Sequence, residues 1–494
     1  MKLYWHKYKY FPYEKQLAFR EIEQVTGIKP EFENEVLSLP PTVSDSLLKR
    51  LVYISYFGQN GDLQPTTQRL LESATENARV SKRQTTRYSS HGLHEYKGKF
   101  NPQVVRSILN IFGERLSLRV LDPFCGSGTT LVESVHGGHQ AVGFDINPMA
   151  IFISNAKLKA LTVDIGQLDA CANEIIARCR ESTALPVTTT NERQAYLMSW
   201  FPAEIYVQIE NLRQIIELIE PDFSSIFLIL VSNNLRDYSL QEPADLRIRR
   251  RVSPFPTVPF LDAVGRSFTH FINELRATQS VLGTLPAGGR AILHDVRENI
   301  HPTDLITSFD IAITSPPYAT ALPYIDTQRL SLVWLSLSPA NQINGLEATL
   351  IGSREFKKSV QNQWTIKMSQ NDDNLPESIH QFCNLLQKSL GEQDGFRRQA
   401  VPSLLYRYFS DMKQMFINVH KLLKKDGKFC LVVGHNQTTI GGVKHSFNTP
   451  ALLVEVALSV GWRHCESIQL QAYQRFSLHQ KNAINEESLL VLAK

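Results

Sequence analysis

The chain has 494 residues, of which 43% are hydrophobic and 20% charged, and its formal net charge is +4. This length exceeds what one small core accommodates, so we expect a main domain with large insertions. The small net charge excludes a binding surface that depends on an overall excess of positive charge. Six scattered cysteines without a CxxC pair exclude a disulfide framework and a structural zinc site. The sequence has no signal-peptide pattern and no 18-residue apolar run, which predicts a cytoplasmic protein without a membrane partner.

Residues 1–90 are interpreted as an N-terminal helical extension. Residues 13–23 have a helix-forming composition and an apolar stripe. We expect this extension to pack against the segments that follow it.

Two histidines after this extension suggest a metal site at first sight. His91 and His94 are three positions apart, but Gly92 opposes a helix between them and no third ligand is evident nearby. The sequence therefore predicts no metal site, and a turn that carries aromatic and polar groups to a ligand is favoured.

The clearest fold signal lies between residues 118 and 145. A short strand runs into DPFCGSGTT at 122–130, a helix follows, and a second strand at 140–144 ends at Asp145. Asp145 lies 23 residues after Asp122, close to the spacing of about 20 residues between a glycine turn and a ribose-binding acid. The pattern predicts a nucleotide-binding βαβ unit.

The glycine turn favours a nucleoside with a cationic tail. Gly126 and Gly128 are present, but Leu131 occupies the third glycine position of the dinucleotide motif G-x-G-x-x-G. Asp122 would repel a pyrophosphate, whereas it could accept a hydrogen bond from an ammonium group. S-adenosylmethionine has such a tail, and we expect it as the cofactor.

Residues 163–285 interrupt the sheet pattern and are interpreted as a mainly helical insertion. The insertion contains four arginines in five positions beside prolines and aromatic residues, a composition typical of a loop that contacts phosphates. An exposed structural loop, or an ion-pair cluster with nearby acids, is the alternative. The arginines are Arg247, Arg249, Arg250 and Arg251, and the acids are Asp237, Glu242 and Asp245.

The sheet pattern then resumes and leads to SPPY at residues 315–318. One strand ends near Asp295, and the apolar run 309–314 forms another strand that ends at the motif. The two prolines have no N–H to donate and cannot continue a strand. The motif therefore stiffens the carboxyl end of a strand, where open α/β sheets bind ligands. Its serine and tyrosine suit a flat ring with a polar edge, and an ordinary strand-to-helix turn is the alternative.

The remaining chain completes the predicted domain organisation. Residues 286–340 contain SPPY, residues 341–402 are polar and form a second insertion, and residues 403–494 return to the sheet. We count seven strands, with helices between the parallel ones and an antiparallel pair at the end.

Four motifs together resemble those of amino-methylating DNA methyltransferases, in particular the SPPY group of N4-cytosine-specific enzymes. They are YKGKFNP at 96–102, DPFCGSGTT at 122–130, FDINP at 144–148 and TSPPY at 314–318. The resemblance implies an α/β fold with a Rossmann-like class I methyltransferase sheet, S-adenosylmethionine as cofactor and base flipping of double-stranded DNA. It makes residues 91–162 the cofactor-binding half, 286–340 the catalytic half and 163–285 the candidate for target recognition. It further implies a prokaryotic, nucleoid-associated enzyme whose partners include a restriction endonuclease or defence-system subunits.

The resemblance also implies roles for individual residues. The cofactor's methionine part would lie among Asp122 and the glycine turn, its ribose hydroxyls on Asp145 and its adenine amine near Asp295. The implied cofactor site comprises Tyr96, Phe100, Asp122, Pro123, Gly126, Ser127, Gly128, Thr129, Asp145, Ile146 and Asp295. The implied catalytic residues are Ser315, Pro316, Pro317 and Tyr318, and the implied nucleic-acid contacts are the four arginines.

The SPPY residues fit methylation of an exocyclic amine. Such an amine is a poor nucleophile because its lone pair is delocalised into the ring. The Ser315 hydroxyl and the Pro316 carbonyl can accept its two N–H groups and localise that lone pair, while Tyr318 stacks on the base. C5-cytosine methylation is excluded, since it needs a cysteine nucleophile that characteristically follows a proline, and no cysteine here does.

Other functions stay open at this point. An N6-adenine methyltransferase uses the same chemistry. Enzymes that methylate RNA or a protein glutamine amide carry motifs similar to these four. A binding module that kept the fold without activity belongs to a different class. The intact Ser315, Tyr318, Asp122 and Asp145 argue against such a module.

Overall fold

The structure, a computed structural model, describes most of the chain. The described residues are 1–33, 36–59, 61–75, 84–113, 117–182, 191–219, 221–245, 247–299, 305–319, 325–355, 357–471 and 486–494.

The N-terminal region contains a five-stranded antiparallel sheet, which corrects the prediction of a helical extension. The strands lie in the order β2-β3-β1-β4-β5. They are three to six residues long, so a period of two has too few repeats to stand out in the sequence. The elements are β1 (Lys2–Trp5), α1 (Pro12–Thr26), β2 (Glu31–Glu33), β3 (Val36–Ser38), α2 (Asp45–Leu48), β4 (Ile54–Gln59), β5 (Asp62–Pro65) and α3 (Thr67–Ser73).

The next segment forms the predicted βαβ unit, preceded by a helix that begins in the motif YKGKFNP. Asn101 caps this helix by accepting the N–H groups of Gln103 and Val104, and Pro102 occupies its first turn. The elements are a 3-10 turn at Ser89–Gly92, α4 (Pro102–Phe112), β6 (Arg119–Asp122), α5 (Thr129–His136), β7 (Gln140–Asp145) and α6 (Pro148–Ala160).

Helices make up the described part of the first insertion. They share a buried apolar core with α6, to which Met149 and Ile153 contribute. The helices are α7 (Ile165–Glu181), α8 (Glu192–Trp200), α9 (Ala203–Ile219), α10 (Ser224–Leu235) and α11 (Phe260–Leu282).

The rest of the chain completes the sheet around a second helical insertion. The strands and helices up to this insertion are β8 (Gly289–Leu293), β9 (Phe309–Thr314), α12 (Arg329–Trp334), α13 (Ile343–Thr349), α14 (Lys358–Gln370), α15 (Glu377–Lys388) and α16 (Phe396–Gln399). Those that follow are α17 (Val401–Leu422), β10 (Leu423–Gly434), β11 (Asn436–Ile440), β12 (Val443–Phe447), α18 (Thr449–Ser459), β13 (Arg463–Gln471) and β14 (Glu486–Ala493). Short 3-10 turns lie at Asp326–Gln328 and Ala340–Gln342.

Seven strands form the central sheet in the order β13-β14-β10-β9-β6-β7-β8. β14 is antiparallel to both of its neighbours, and the other paired strands are parallel. This is the strand order of the Rossmann-like class I methyltransferase sheet, so the predicted fold class is confirmed. Along β9, Ile311 and Ile313 face one apolar core and Ala312 faces another, which explains why the strand reads as a continuous apolar run.

The topology collects one edge of this sheet into a candidate site. Because β6, β7, β8 and β9 are parallel, their carboxyl ends lie at the same edge, with Asp122, Asp145, Asp295 and Ser315 at or just beyond them. The reversed strand β14 begins at this edge, where Glu487 pairs with Gly434.

Two further features concern function only indirectly. The hairpin β11–β12 turns at two consecutive glycines with positive φ, Gly441 and Gly442, a turn signal that would have revealed the hairpin in the sequence. Among the described helices, none combines the length and the apolar character that crossing a membrane requires.

Candidate active site

The glycine turn between β6 and α5 has a shape that favours glycine at two positions. Gly126 has a φ of +48° and Gly128 a φ of +78°. A Cβ atom on Gly126 would lie 3.3 Å from the ring of Tyr96, and one on Gly128 would lie 2.8 Å from the Oγ atom of Ser154. The turn is therefore packed closely on both sides, and the structure brings Tyr96 and the glycines together.

Asp145 fixes the same turn from the end of β7. Its carboxylate accepts the N–H of Gly126 and the N–H of Asn147, each at 2.9 Å. Burial raises the pKa of Asp145 to about 6, although these N–H donors oppose the rise. The spacing of the sequence predicted that Asp145 and the glycine turn belong to one site, and the two are in direct contact.

Asp122 connects the glycine turn with the strand that leads into SPPY. The residue is only 3% exposed, and its carboxylate accepts the N–H of Phe124 at 3.0 Å and the hydroxyl of Thr314 at 2.7 Å. Burial raises the pKa of Asp122 to about 6, against the effect of its hydrogen-bond donors. Because Thr314 directly precedes Ser315, a single carboxylate contacts both predicted motifs.

The SPPY residues follow β9 at the same edge. Pro316 is buried, and Ser315, Pro317 and Tyr318 are half-buried. The hydroxyl of Tyr318 donates a hydrogen bond of 2.5 Å to Glu487 near the start of β14. Sequence analysis missed Glu487, because it lies 169 residues from Tyr318 and no local motif marks β14.

Asp295 lies where the sequence predicted, but its carboxylate is engaged. Arg297 binds it through Nη2 at 2.6 Å and Nε at 2.9 Å, and also reaches Asp411 at 3.2 Å. Burial acts to raise the pKa of Asp295, but the hydrogen bonds and charge of Arg297 leave that pKa below its ordinary value. The contact of Asp295 with an adenine amine stays a prediction, and it would have to compete with this ion pair.

A buried lysine beside the glycine turn escaped sequence analysis. Lys157 of α6 is fully buried and donates a hydrogen bond of 3.0 Å to the carbonyl of Ser127. Burial lowers the pKa of Lys157 to about 7. The ammonium group of Lys157 thus holds the backbone of the turn from behind.

The remaining predicted cofactor residues surround this turn. Phe100 is half-buried against the apolar core between α4, α5 and the sheet. Pro123, Ser127 and Thr129 are buried, and Ile146 is half-buried beside Asp145. Their positions agree with a site at this edge, and their contacts with a cofactor stay predictions.

Cys125 packs within the glycine turn against Gly143. A Cβ atom on Gly143 would lie 2.6 Å from the Cβ of Cys125, so the thiol fills the space that the glycine leaves. Burial raises the pKa of Cys125 well above its ordinary value, which opposes a thiolate nucleophile.

The four predicted arginines are used in two different ways. The guanidinium groups of Arg250 and Arg251 bind backbone carbonyls of the insertion itself. Arg247 is exposed, and Arg249 is 72% exposed with an ion pair of 3.2 Å to Asp245. The ion-pair alternative therefore holds for Arg249, and phosphate binding by this run stays a prediction.

His91 belongs to a buried cluster that sequence analysis did not find. Its Nε2 lies 2.7 Å from Glu133, and the Nδ1 of His136 lies 3.3 Å from the same carboxylate. These three side chains have a geometry that could hold a metal. However, Arg106 binds Glu133 at 2.9 Å and Tyr88 donates to it at 3.0 Å, so an arginine already supplies the compensating charge. We interpret the cluster as a hydrogen-bond network that fixes the 3-10 turn at Ser89–Gly92 to α5.

Comparisons with known proteins agree with this architecture. Residues 22–156 match the family model N6_N4_Mtase, described as DNA methylase. The chain is 26% identical over 299 residues to the type II methyltransferase M.MvaI of Kocuria varians, a match that covers 56% of this chain and 64% of the relative. It is 23% identical over 295 residues to the type II methyltransferase M.BsoBI of Geobacillus stearothermophilus, covering 54% of this chain and 57% of the relative. The chain thus spans less than two thirds of these relatives' lengths.

Among solved structures, an S-adenosylmethionine-dependent methyltransferase from Methanosarcina mazei aligns with 77% of this chain and 93% of its own, at 8% identity and a TM-score of 0.26. The family model, the type II relatives and the order of the motifs agree with one another, and S-adenosylmethionine is the cofactor that they imply. The family model and the type II relatives thus support the resemblance of this chain to the amino-methylating DNA methyltransferases, and they leave N4 and N6 specificity open.

Proposed function

We propose that this protein transfers a methyl group from S-adenosylmethionine to the N4 amine of a cytosine that has been flipped out of double-stranded DNA. The observation that supports this most is the hydrogen bond between Thr314 and Asp122. It holds the strand end that carries Ser315 directly against the predicted cofactor turn. A methyl donor and a base amine bound at these two turns would be neighbours, and such proximity can supply a large share of the barrier reduction.

The residues of the turn fit the cofactor. Asp122 is a buried acceptor and Asp145 a half-buried one, and they suit the ammonium group and the ribose hydroxyls of S-adenosylmethionine. The Nζ atom of Lys157 lies beside the same turn. Because Gly126 and Gly128 have no Cβ atom, the turn can adopt its positive φ values and pack closely against Tyr96 and Ser154. When bound, this cofactor supplies an electrophilic methyl group on a sulfonium.

The residues of SPPY would prepare the amine. The Ser315 hydroxyl and the Pro316 carbonyl accept hydrogen bonds from its two N–H groups. These hydrogen bonds draw the nitrogen toward tetrahedral geometry and localise its lone pair. No strong base is required, because the proton can leave after methyl transfer. Tyr318 stacks on the extracted base, an interaction worth about 1–3 kcal/mol.

The serine of SPPY favours cytosine over adenine, since this is the variant that the N4-cytosine group carries. Adenine N6 is the second candidate, because its amine presents the same two N–H groups to the same acceptors. The similarity to type II methyltransferases supports a role in restriction and modification. A cognate endonuclease would be the partner in that case.

The experiment is transfer of a tritiated methyl group from S-adenosylmethionine to unmethylated duplex DNA, with cofactor binding measured in parallel by calorimetry. The wild-type protein should label DNA, and Y318A should lose transfer by roughly tenfold or more while it binds the cofactor as before. Unchanged transfer by Y318A would remove the tyrosine from the mechanism. Absence of labelling in the wild type would refute the proposed activity.

A further inference from the structure

The loop between α10 and α11 is fixed by an arginine that faces inward. The guanidinium group of Arg251 donates to the carbonyls of Asp237 at 2.6 Å, Ser239 at 2.8 Å and Pro254 at 2.9 Å. It also lies 4.5 Å from the ring centroid of Phe255. Both ends of the loop are therefore tied to one side chain.

Further contacts hold the backbone of residues 249–253. The carboxylate of Glu242 accepts the N–H groups of Val252 at 3.0 Å and Ser253 at 3.1 Å. The guanidinium of Arg250 lies 4.3 Å from the ring centroid of Trp200 and donates to the carbonyl of Ser199 at 2.7 Å. A loop with so many contacts is preorganised and loses little conformational freedom when it binds.

On the surface of this loop an apolar side chain points away from the protein. Val252 is 93% exposed, although its own N–H is bound by Glu242. Arg249 and Arg247 are exposed and lie close to it in the chain, and Arg250, also exposed, is engaged with Trp200 and Ser199. A rigid loop with an apolar tip and cations beside it has the composition of a DNA-contacting element that inserts between base pairs.

The helix that leads into the loop is connected to the candidate active site. The side chain of Asn233, at the end of α10, accepts the N–H of Glu95 at 3.1 Å. The next residue, Tyr96, packs against Gly126 of the glycine turn. The glycine turn is therefore connected to the end of α10 by direct contacts through Tyr96 and Glu95.

The second insertion adds positive charge to the same surface. Burial lowers the pKa of Arg354, and the guanidinium groups of Arg397 and Arg247 lower it further. Arg247 of the first insertion thus lies near two arginines of the second. Such a cluster of like charges suits a polyanion that runs across both insertions.

We propose that Val252 is a wedge that enters the base stack of double-stranded DNA beside the flipped base, while Arg247 and Arg249 contact the flanking phosphates. The proposal rests on the proposed function, since extraction of a base leaves a gap in the stack that a side chain can occupy. It divides the arginine run into Arg250 and Arg251, which build the loop, and Arg247 and Arg249, which contact the ligand. Partial unstacking by an apolar side chain is the usual way in which proteins open a base step.

The test compares V252A with V252L, which keeps an apolar side chain, and with L218A. Leu218 of α9 is 80% exposed in the same insertion and serves as a matched control. Transfer of a tritiated methyl group to unmethylated duplex DNA of mixed sequence is measured for each, with S-adenosylmethionine binding followed by calorimetry. We expect V252A to lower kcat/KM for DNA about tenfold, V252L to restore most of it, and L218A to match the wild type.

The salt dependence of DNA binding separates the wedge from the phosphate contacts. R249Q should lower the slope of log affinity against log salt by about 1, whereas V252A should leave the slope unchanged. If kcat/KM for DNA of V252A is within about twofold of that of L218A, the role of Val252 as a wedge is refuted, and the proposed function still stands. A wild-type protein that neither binds nor methylates duplex DNA would overturn both.

Discussion

The hydroxyl of Thr314 donates a hydrogen bond of 2.7 Å to the carboxylate of Asp122, and this bond joins two strands that lie side by side in the sheet. Asp122 begins the predicted cofactor turn and Thr314 ends the strand before SPPY. The bond therefore connects the two motifs directly, and we expect both the stability of the fold and the affinity for cofactor to depend on it.

Thr314→Val removes this donor at nearly constant volume. The carboxylate of Asp122 would stay buried with one donor fewer, so we expect the free energy of unfolding to fall by about 1–3 kcal/mol. Chemical denaturation measures the loss. Thr269→Val is the control, because that hydroxyl bonds only the carbonyl of Gly265 on an exposed helix face. Equal stability of the two variants would show that the bond contributes nothing to the fold.

The contact between Tyr318 and Glu487 should orient the ring that stacks on the base. Glu487→Gln keeps an acceptor for the tyrosine hydroxyl, whereas Glu487→Ala removes it. We expect Glu487→Ala to lower kcat for methyl transfer several-fold, roughly the cost of one such hydrogen bond, and Glu487→Gln to recover most of the rate. Cofactor affinity measured by calorimetry should be equal in both variants. A kcat of Glu487→Ala equal to that of the wild type would leave the hydrogen bond without a catalytic role.

Cofactor affinity should rise with pH between about 5 and 7. Burial raises the pKa values of Asp122 and Asp145 from 3.8 to about 6, so below that pH both carboxylates are protonated. A raised pKa means that these acids add stability to the free protein at low pH and lose that contribution as the pH rises through about 6. The cofactor's ammonium and hydroxyl donors prefer the ionised acids, so the increase in Tm on adding S-adenosylmethionine should grow over the same range.

Asp295→Asn is the control for this pH dependence. Arg297 leaves the pKa of Asp295 below its ordinary value, so this acid is ionised over the whole range and its removal should not displace the profile. A Tm increase that does not vary between pH 5 and 7 would contradict the assignment of Asp122 and Asp145 to the cofactor.

The cluster of His91, Glu133 and His136 should hold its shape without a metal. Arg106 and Tyr88 already satisfy Glu133, so treatment with a chelator should leave the Tm of the protein unchanged. Glu133→Ala should instead cost about 3–5 kcal/mol, because it leaves a buried arginine unpaired. A metal found in stoichiometric amount by elemental analysis, together with a lower Tm after chelation, would contradict this interpretation.

Local sequence patterns predicted the parts of the molecule that depend on short segments. The strand ends at Asp122, Asp145 and Ser315 follow from apolar runs bounded by turn formers, and the fold class follows from their order. Two consecutive prolines and two glycines marked both turns of the site. For these features, neighbours in the sequence supply most of the structural constraint.

Long-range contacts explain what the sequence could not predict. The partner of Tyr318 is 169 residues away, and that of Asp122 is 192 residues away. The inward orientation of Arg251 depends on backbone carbonyls of the surrounding loop, which composition does not reveal. The N-terminal sheet is built from strands too short to show a period, so only the aromatic and helical character of that region was visible.

The most direct test of the central proposal is mass spectrometry of nucleosides from unmethylated DNA that has been incubated with the protein and S-adenosylmethionine and then digested. We predict N4-methylcytosine, formed at an amine held by Ser315 and the carbonyl of Pro316. N6-methyladenine as the product would contradict the assignment to cytosine, and the absence of any methylated nucleoside would contradict the proposed function.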